Sequence, residues 1–263
     1  MNNEVSHSIQ NIAVVGSGNI ATWLVEQLQD TDFQIAQIYS YTLEHAQILA
    51  QSCNAQPIDQ VSEILPDLDL YIFSLKDDHY AKILQELTFK MKLAVITAGS
   101  LSCNILAEKS INYGVIYPCQ SITKSHKINN LTVPLCIEGN TPATVEVLSA
   151  FAAYLSDERY FLNEEQRKIL HLAAVFGSNF TNAMYGIAFD ILAKSGLSTK
   201  MIYPLLQNTL ARVENATPWE VQTGPAHRND QSVMKQQVEM IHDPQLRQIY
   251  QLISDYIIHK NNK

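Results

Sequence analysis

The sequence predicts an α/β fold, a doubly wound parallel sheet followed by a smaller all-helical domain. Short apolar runs rich in β-branched residues alternate with helix-like segments as far as about residue 155, and the last run is 135–138. This alternation is typical of a parallel sheet with crossover helices. From Thr141 onward the sequence shows only helical periodicity. We therefore expect a first domain at 1–158 and a helical domain at 159–263, for which the chain is long enough.

The first apolar run ends in a glycine turn. The run from Ile12 to Val15 stops at Gly16, and Gly18 and Ala21 follow before a helix-like pattern. The spacing G-x-G-x-x-A at a strand-to-helix turn is the fingerprint of a Rossmann-like dinucleotide-binding domain, because the glycines let the backbone approach a pyrophosphate. A glycine-rich turn without a ligand is the alternative. The residues expected to contact the nucleotide here are Gly16, Ser17, Gly18, Asn19 and Ile20.

The second apolar run, 33–40, bears on which coenzyme is preferred. A fold that prefers NAD places Asp or Glu about 20 residues beyond the glycines, where it holds the ribose 2′-hydroxyl. Here the run ends at Ser40 and Thr42 follows, with no acid before Glu44. Two hydroxyls without a repelling carboxylate favour NADP over NAD, with Ser40 and Thr42 as contacts of the 2′-phosphate. The indication is incomplete, because no Arg follows Ser40 to pair with that phosphate.

Residues that follow the later strands should complete the site, because ligands bind at the carboxyl ends of strands in open α/β sheets. Leu75 and Ala98 follow two of these runs and are expected beside the coenzyme. Gln120 follows a third and is expected to contact the substrate. We interpret Asp77 and Asp78 as the N-cap of the next helix rather than as catalytic groups.

A long helical pattern, 164–194, carries polar side chains among apolar ones. At 100° per residue, His171, Ser178 and Asn182 fall on one stripe and Asn179 lies on its flank. Buried polar groups need partners, so the stripe is either a structural hydrogen-bond network, within the chain or across a dimer, or a row that faces the substrate. On the second interpretation His171 is the proton donor, Asn179 and Asn182 complete the catalytic group, and Ser178 contacts the substrate.

The loop 223–230 is dense in polar and turn-forming residues, which is unlike a linker. Thr223 and Arg228 could hold an anionic or carbonyl group of the substrate. A helix-capping turn with an ion pair between Arg228 and Asp230 is an equally good interpretation. Upstream, Gly196 is expected to end the long helix as its C-cap.

Composition excludes several classes of partner. Hydrophobic residues make up 46% and charged residues 17%, and the net charge is −8, which argues against nucleic acid or an anionic membrane as the partner. No apolar run is long enough for a membrane span, and the first ten residues do not look like a signal peptide. The four cysteines form no C-x-x-C pair, so we expect reduced thiols, no metal site and a cytoplasmic protein.

Four segments together carry a family resemblance; they are 16–21, 117–120, 171–182 and 223–230. The chain resembles the bacterial family of proposed NADP oxidoreductases that join a Rossmann-like domain to a C-terminal helical domain of unknown function. That family is similar in layout to pyrroline-5-carboxylate reductase, the deazaflavin-dependent NADP reductases and the 6-phosphogluconate dehydrogenase group. The resemblance implies a homodimer formed largely through the helical half and an active site in the cleft between domains. One departure is Tyr41, which stands where a basic residue is expected after Ser40.

Our first hypothesis is an NADP-dependent oxidoreductase that transfers a hydride between nicotinamide and a small carbonyl or imine substrate. The coenzyme supplies the difficult chemistry, and the protein has to position it, supply a proton and exclude water. The alternative is a non-catalytic NADP-binding sensor or regulatory homodimer, in which the polar stripe belongs to the dimer interface. A protein for S-adenosylmethionine or flavin is a weaker option; the former has no pyrophosphate for the glycine turn.

Overall fold

The sheet forms the centre of the computed structural model, which describes residues 9–124 and 133–261. Within these residues it has eight strands: β1 (Asn11–Val15), β2 (Gln34–Tyr39), β3 (Gln56–Ile58), β4 (Leu70–Phe73), β5 (Met91–Ile96), β6 (Ser110–Pro118), β7 (Leu135–Gly139) and β8 (Arg159–Phe161). Their spatial order is β3-β2-β1-β4-β5-β6-β7-β8. The first six strands are parallel, β7 is antiparallel to β6, and β8 is parallel to β7. The predicted α/β class is confirmed, with a mixed edge.

Helices cover both faces of the sheet in the first half of the chain. The helices are α1 (Asn19–Leu28), α2 (Leu43–Ala50), α3 (Tyr80–Glu86), α4 (Pro142–Ala152), α5 (Glu164–Ala174), α6 (Thr181–Lys194), α7 (Tyr203–Asn215), α8 (Gln231–Met240) and α9 (Pro244–Asn261). Side chains of β1 alternate between the faces: Ile12 and Val14 belong to the apolar cluster that contains Leu24 of α1. Ala13 and Val15 belong to the cluster that contains Tyr80 of α3. This burial on both faces explains the continuous apolar runs.

The prediction that only helices follow Thr141 is wrong at β8. This strand has three residues, too few for a period of two to be recognised. Two of them, Tyr160 and Phe161, are about half exposed, at 49% and 59%, so no apolar alternation marks the strand. For the same reason the expectation that β7 is the last strand is wrong.

The capping role predicted for Asp77 and Asp78 is also wrong. Asp77–His79 forms a separate 3₁₀ turn before α3, and no side chain caps either element. Asp77 instead accepts a hydrogen bond of 2.5 Å from the hydroxyl of Ser100. Its carboxylate therefore joins the segments that follow β4 and β5.

The long helix predicted over 164–194 is interrupted. The segment Val175–Phe180 is a π-helix between α5 and α6, and such a turn contains more residues than the 3.6 of an α-helix. The angular argument that aligned His171 with Ser178 and Asn182 assumed α-helical rotation throughout, so that alignment does not hold. Ser178 and Asn182 are exposed and His171 is half-buried.

The chain forms two compact units, Met1–Ala183 and Met184–Lys263. The predicted boundary after residue 158 falls inside the first unit, and the division at 158 stays a prediction. In the second unit, the described residues 184–261 bury just two apolar side chains, those of Ala226 and Met234. Gly196 ends α6 at a positive φ of 68°, with the N–H of Leu197 bonded to the carbonyl of Leu192 at 2.9 Å, so the C-cap prediction is confirmed. No helix in the described part of the chain combines the length and apolar character that crossing a bilayer requires.

Candidate functional site

The turn after β1 has the backbone geometry of a phosphate-binding turn. Gly16 has φ +129°, and a Cβ there would lie 2.1 Å from the carbonyl oxygen of Ser74. Only glycine fits this close approach between the ends of β1 and β4. At Gly18, by contrast, a Cβ would meet nothing within 4 Å. Gly18 precedes α1, whose start has no side-chain cap, so the N–H groups of the first helical turn have no capping side chain and can bind an anion.

A cavity of about 1020 Å³ opens beside this turn. Its walls are the turn after β1, the ends of β2 and β4, the residues after β3, the start of α2 and the length of α3. Six of the nine residues predicted to contact the coenzyme line this wall: Gly16, Ser17, Gly18, Ser40, Thr42 and Leu75. The volume is at the upper end of the range for small-molecule and cofactor sites. The structure therefore brings together most of the predicted coenzyme contacts, along with lining residues that the sequence did not indicate.

Hydroxyl groups after β1 and β2 can donate hydrogen bonds to a ligand. The hydroxyls of Ser17 and Ser40 are 2.8 Å apart. Each has one proton and the pair uses one of them, so the other can be given to a ligand oxygen. Thr42 is the N-cap residue of α2, but its side chain makes no capping hydrogen bond. Its hydroxyl is thus also available to a ligand.

Positive charges line the same region, and sequence reasoning missed them. Lys76 and Lys82 line the cavity from the β4 side and from α3, and the carboxylates of Asp59 and Glu86 line it as well, Glu86 at the end of α3. In addition, the ammonium group of Lys124 donates a hydrogen bond of 2.8 Å to the carbonyl of Ser17. Lys124 is 107 residues away from Ser17, so no local motif could reveal it.

A second polar cluster lies where β5 and β6 end. The hydroxyl of Tyr117 is 3.2 Å from Nδ1 of His171, and the rings meet edge to face at 5.9 Å. Gly99 makes room for both, because a Cβ there would lie 2.8 Å from each side chain. Burial, with a further contribution from Cys119, raises the pKa of Tyr117 far above its usual value of 10.0, so the phenol is neutral. The sequence singled out His171, but it gave no reason to pair it with Tyr117.

Arg167 holds this cluster in place. The guanidinium is fully buried; its Nε donates to Glu138 at 3.1 Å. Its Nη1 donates to the carbonyls of Ala98 at 3.1 Å and Gly99 at 2.8 Å. Arg167 and His171 are one helical turn apart in α5, so this anchor also sets the position of His171. Glu138 accepts a further contact from the thiol of Cys103 at 3.4 Å, and burial, followed by the charge of Glu138, raises the pKa of that thiol to about 12.

The two clusters lie along one edge of the sheet. The carboxyl ends of β2, β1, β4, β5 and β6 follow one another in that order. Neighbouring strands are about 4.8 Å apart, so the row spans about 19 Å. Hydroxyls and cations lie at the β2 end, the glycine turn follows at β1, and the Tyr117–His171 pair lies at the β6 end. This arrangement can bind an extended phosphate-containing ligand and move a proton at its far end.

The other predicted site residues lie outside these clusters. Gln120 is exposed, and its side-chain oxygen accepts from the N–H of Ser121 at 2.8 Å. Asn179 is exposed within the π-helical segment. Thr223 and Arg228 are exposed in the second unit.

The capping interpretation of the 223–230 loop is confirmed. Asp230 caps α8 by accepting from the N–H of Val233 at 3.2 Å. Among the ion pairs of the described residues there is none between Arg228 and Asp230, so that part of the interpretation is wrong.

The fold and the turn after β1 define a Rossmann-type nucleotide-binding protein, and comparisons with known proteins give its family. Residues 11–117 match the family described as NADP oxidoreductase, coenzyme F420-dependent, and residues 133–257 match a domain of unknown function, DUF2520. A Bacteroides fragilis protein, provisionally described as an NADP oxidoreductase, is 38% identical; the match covers 96% of this chain and 99% of that chain, with a TM-score of 0.90. The chain belongs to this family of NADP oxidoreductases, as its sequence indicated.

More distant proteins share the fold. The 1-pyrroline-5-carboxylate reductase of Streptococcus pyogenes is 16% identical, with 97% of this chain and 100% of that chain covered and a TM-score of 0.63. An imine reductase of Myxococcus stipitatus, solved with NADP⁺, is also 16% identical, with 95% and 92% covered and a TM-score of 0.64. No curated protein matches the chain.

Replacing Arg167 by Met should lower the free energy of unfolding by about 3–5 kcal/mol, because the largely buried Glu138 carboxylate and two carbonyls lose their partner. Denaturant unfolding measures the loss. The double variant with Glu138→Gln should lose less than the sum of the two single losses. The neighbouring Lys168→Met is the control: its ion pair with Glu164 is partly exposed and should contribute less than about 1 kcal/mol. Equal losses at 167 and 168 would contradict the anchoring role of Arg167.

Proposed function

We propose that the chain is an NADP-dependent oxidoreductase that transfers a hydride between nicotinamide and a small carbonyl or imine substrate. The observation that carries the proposal is the cavity that joins an uncapped α1 and an open Gly18 to the hydroxyls of Ser40 and Thr42. The family and the NADP⁺-bound imine reductase of the same fold support this assignment.

The residues present fit the phosphates of NADP. The first N–H groups of α1 would hold the pyrophosphate, with Asn19 and Ile20 in that turn. The ammonium of Lys124, which bonds the carbonyl of Ser17, adds positive charge there. Ser40 and Thr42 would donate to the 2′-phosphate. Each group that would meet a phosphate is a donor or a cation, as an anionic ligand requires.

At the other end of the row, Leu75 and Ala98 would contact the nicotinamide, which supplies or accepts the hydride. Tyr117 occupies Nδ1 of His171, so Nε2 is the ring atom left to hold or deliver a proton. An imidazole suits this role because its unperturbed pKa is close to neutral pH. In this proposal Asn179 and Asn182 orient the substrate. The residues assigned to substrate binding are Gln120, Ser178, Thr223 and Arg228.

We also propose that the chain is a homodimer formed through its helical half. Side chains of that half are widely exposed in the single chain, among them Met201 (66%), Leu205 (58%), Leu210 (61%) and Leu252 (70%). So many exposed apolar side chains are unusual for a monomer and typical of an interface. A second copy of the same surface is the simplest partner, since most homo-oligomers are symmetric dimers.

The coenzyme assignment predicts a selective thermal shift. NADPH at about 100 times its dissociation constant should add about 2.7 kcal/mol of stability, which raises Tm by roughly 5–10 °C for a chain of this size. NADH should shift Tm less, and flavin nucleotide and S-adenosylmethionine should not shift it. Gly18→Ala should fold normally, because its Cβ meets nothing within 4 Å, but should lose the shift because the methyl group blocks the pyrophosphate. No shift with wild type, or an equal shift with Gly18→Ala, would contradict the assignment.

The proton-donor assignment predicts a separation of binding from turnover. His171→Ala should lower kcat for NADPH oxidation by about 10²–10⁴-fold and leave the Kd of NADPH nearly unchanged. Tyr117→Phe removes only the hydroxyl that contacts Nδ1 of His171, and it should lower kcat by a smaller factor. Assays of NADPH oxidation with keto acids and cyclic imines give kcat, and fluorescence titration gives Kd. If His171→Ala lowers kcat and also raises the Kd of NADPH, the role of His171 is structural. If wild type binds NADPH but none of the substrates in the panel causes its oxidation, the chain is the non-catalytic sensor described above.

The dimer assignment predicts a sedimentation mass of twice that of the chain. Leu210→Glu should give a monomer, because it places a charge within the proposed interface. Ile48→Glu is the matched control: Ile48 is equally exposed, at 61%, but lies on α2 of the first unit. A monomeric wild type, or a dimer that Ile48→Glu disrupts and Leu210→Glu does not, would contradict the proposal.

A further inference from the structure

We propose that Lys82 of α3 selects the coenzyme by pairing with the 2′-phosphate, and that Tyr41 supplies the aromatic face for the adenine. The proposal rests on the NADP-dependent function above and names the residues that give the site its preference. In a Rossmann-type site the 2′-phosphate is usually paired by an Arg near the end of the second strand. This chain has Tyr41 at that point, so the positive charge has to come from elsewhere.

Position favours Lys82. Tyr41 lies between Ser40 and Thr42 on one wall of the cavity, and Lys82 lies on the wall formed by α3. The ammonium of Lys82 is 5.7 Å from the centre of the Tyr41 ring, which is within the range of a cation–π contact. The charge is therefore beside Tyr41, whose neighbours in the chain, Ser40 and Thr42, would bind the 2′-phosphate, although Lys82 comes from a different strand-helix unit.

The electrostatics of the cavity favour a cation close to the phosphate. Asp59 and Glu86 line the same cavity, and their carboxylates would repel a phosphate dianion unless a cation lies closer to it. Within the described residues Lys82 has no carboxylate partner within 4.0 Å, so its charge is available to a ligand. His79, by comparison, already has Asp78 at 3.7 Å.

Tyr41 and Lys82 can act together because an aromatic ring has two faces. Lys82 lies over one face of the Tyr41 ring, and the other is open, since Tyr41 is 80% exposed. A purine can stack on the open face while the ammonium reaches the phosphate on the adjacent ribose carbon. A single Arg could both pair with the phosphate and stack on the adenine. Here Lys82 would make the first contact and Tyr41 the second, so each can be tested separately.

The test compares the Kd values of NADPH and NADH, measured by fluorescence titration, in wild type, three test variants and one control variant. Lys82→Gln should raise the Kd of NADPH about 10- to 100-fold, as expected for the loss of a charge-assisted hydrogen bond. The Kd of NADH should change by less than about twofold. Lys82→Arg should restore most of the preference. Tyr41→Leu should weaken both coenzymes by the same factor, because adenine is common to them. Lys92→Gln is the control, since Lys92 is an exposed lysine that lines a different cavity.

Each outcome decides between the proposals. If Lys82→Gln weakens NADPH and NADH equally, or weakens neither, the selective role of Lys82 is wrong while the NADP-binding function stands. If wild type binds the two coenzymes equally, there is no preference for Lys82 to provide and this inference fails alone. If wild type binds neither, the proposed function fails as well. Titration with 2′,5′-ADP against 5′-AMP gives the same comparison without the nicotinamide.

Discussion

The candidate proton-transfer end of the site depends on one buried cation. Arg167 has no contact with water, so its charge is tolerated only because Glu138 and two carbonyls surround it. These partners belong to β7 and to the turn after β5, and Arg167 itself belongs to α5. One side chain thus fixes a helix on the sheet edge, and His171 follows one turn later. Gly99 is both a partner of Arg167 and the residue whose missing side chain admits the ring of His171.

The two ends of the site differ in how far they can be predicted from sequence. The nucleotide end is local: strand, glycines and helix lie within about 20 residues, and their spacing alone indicates a phosphate-binding turn. The other end is assembled across long separations, since Tyr117 and His171 are 54 residues apart and Arg167 and Gly99 are 68 apart. Periodicity carries no information about such pairs. It also failed where geometry changes inside an element, at the π-helical segment, and where an element is too short to show a period, at β8.

The nucleotide end also shows a limit of predicting a binding site from a sequence motif. At the end of β2 the motif has the hydroxyls expected for a phosphate but lacks the expected cation, and from sequence this looks like a missing part. In three dimensions other units bring lysines to the same region: Lys82 of α3 lines the cavity, and Lys124, beyond β6, bonds the carbonyl of Ser17 after β1. Binding of a phosphate is a property of the wall of a cavity, and several strand-helix units contribute to that wall. The absence of one residue from a motif therefore does not imply the absence of its function.

The sparse burial in the helical half has a thermodynamic consequence. With just Ala226 and Met234 buried among its described residues, residues 184–261 gain little free energy from a core of their own. Their stability has to come from whatever covers their apolar side chains, and free energy gained by association depends on concentration. In the proposed homodimer the melting temperature of this half would therefore rise as the protein is concentrated, whereas that of the sheet, which has its own core, would not.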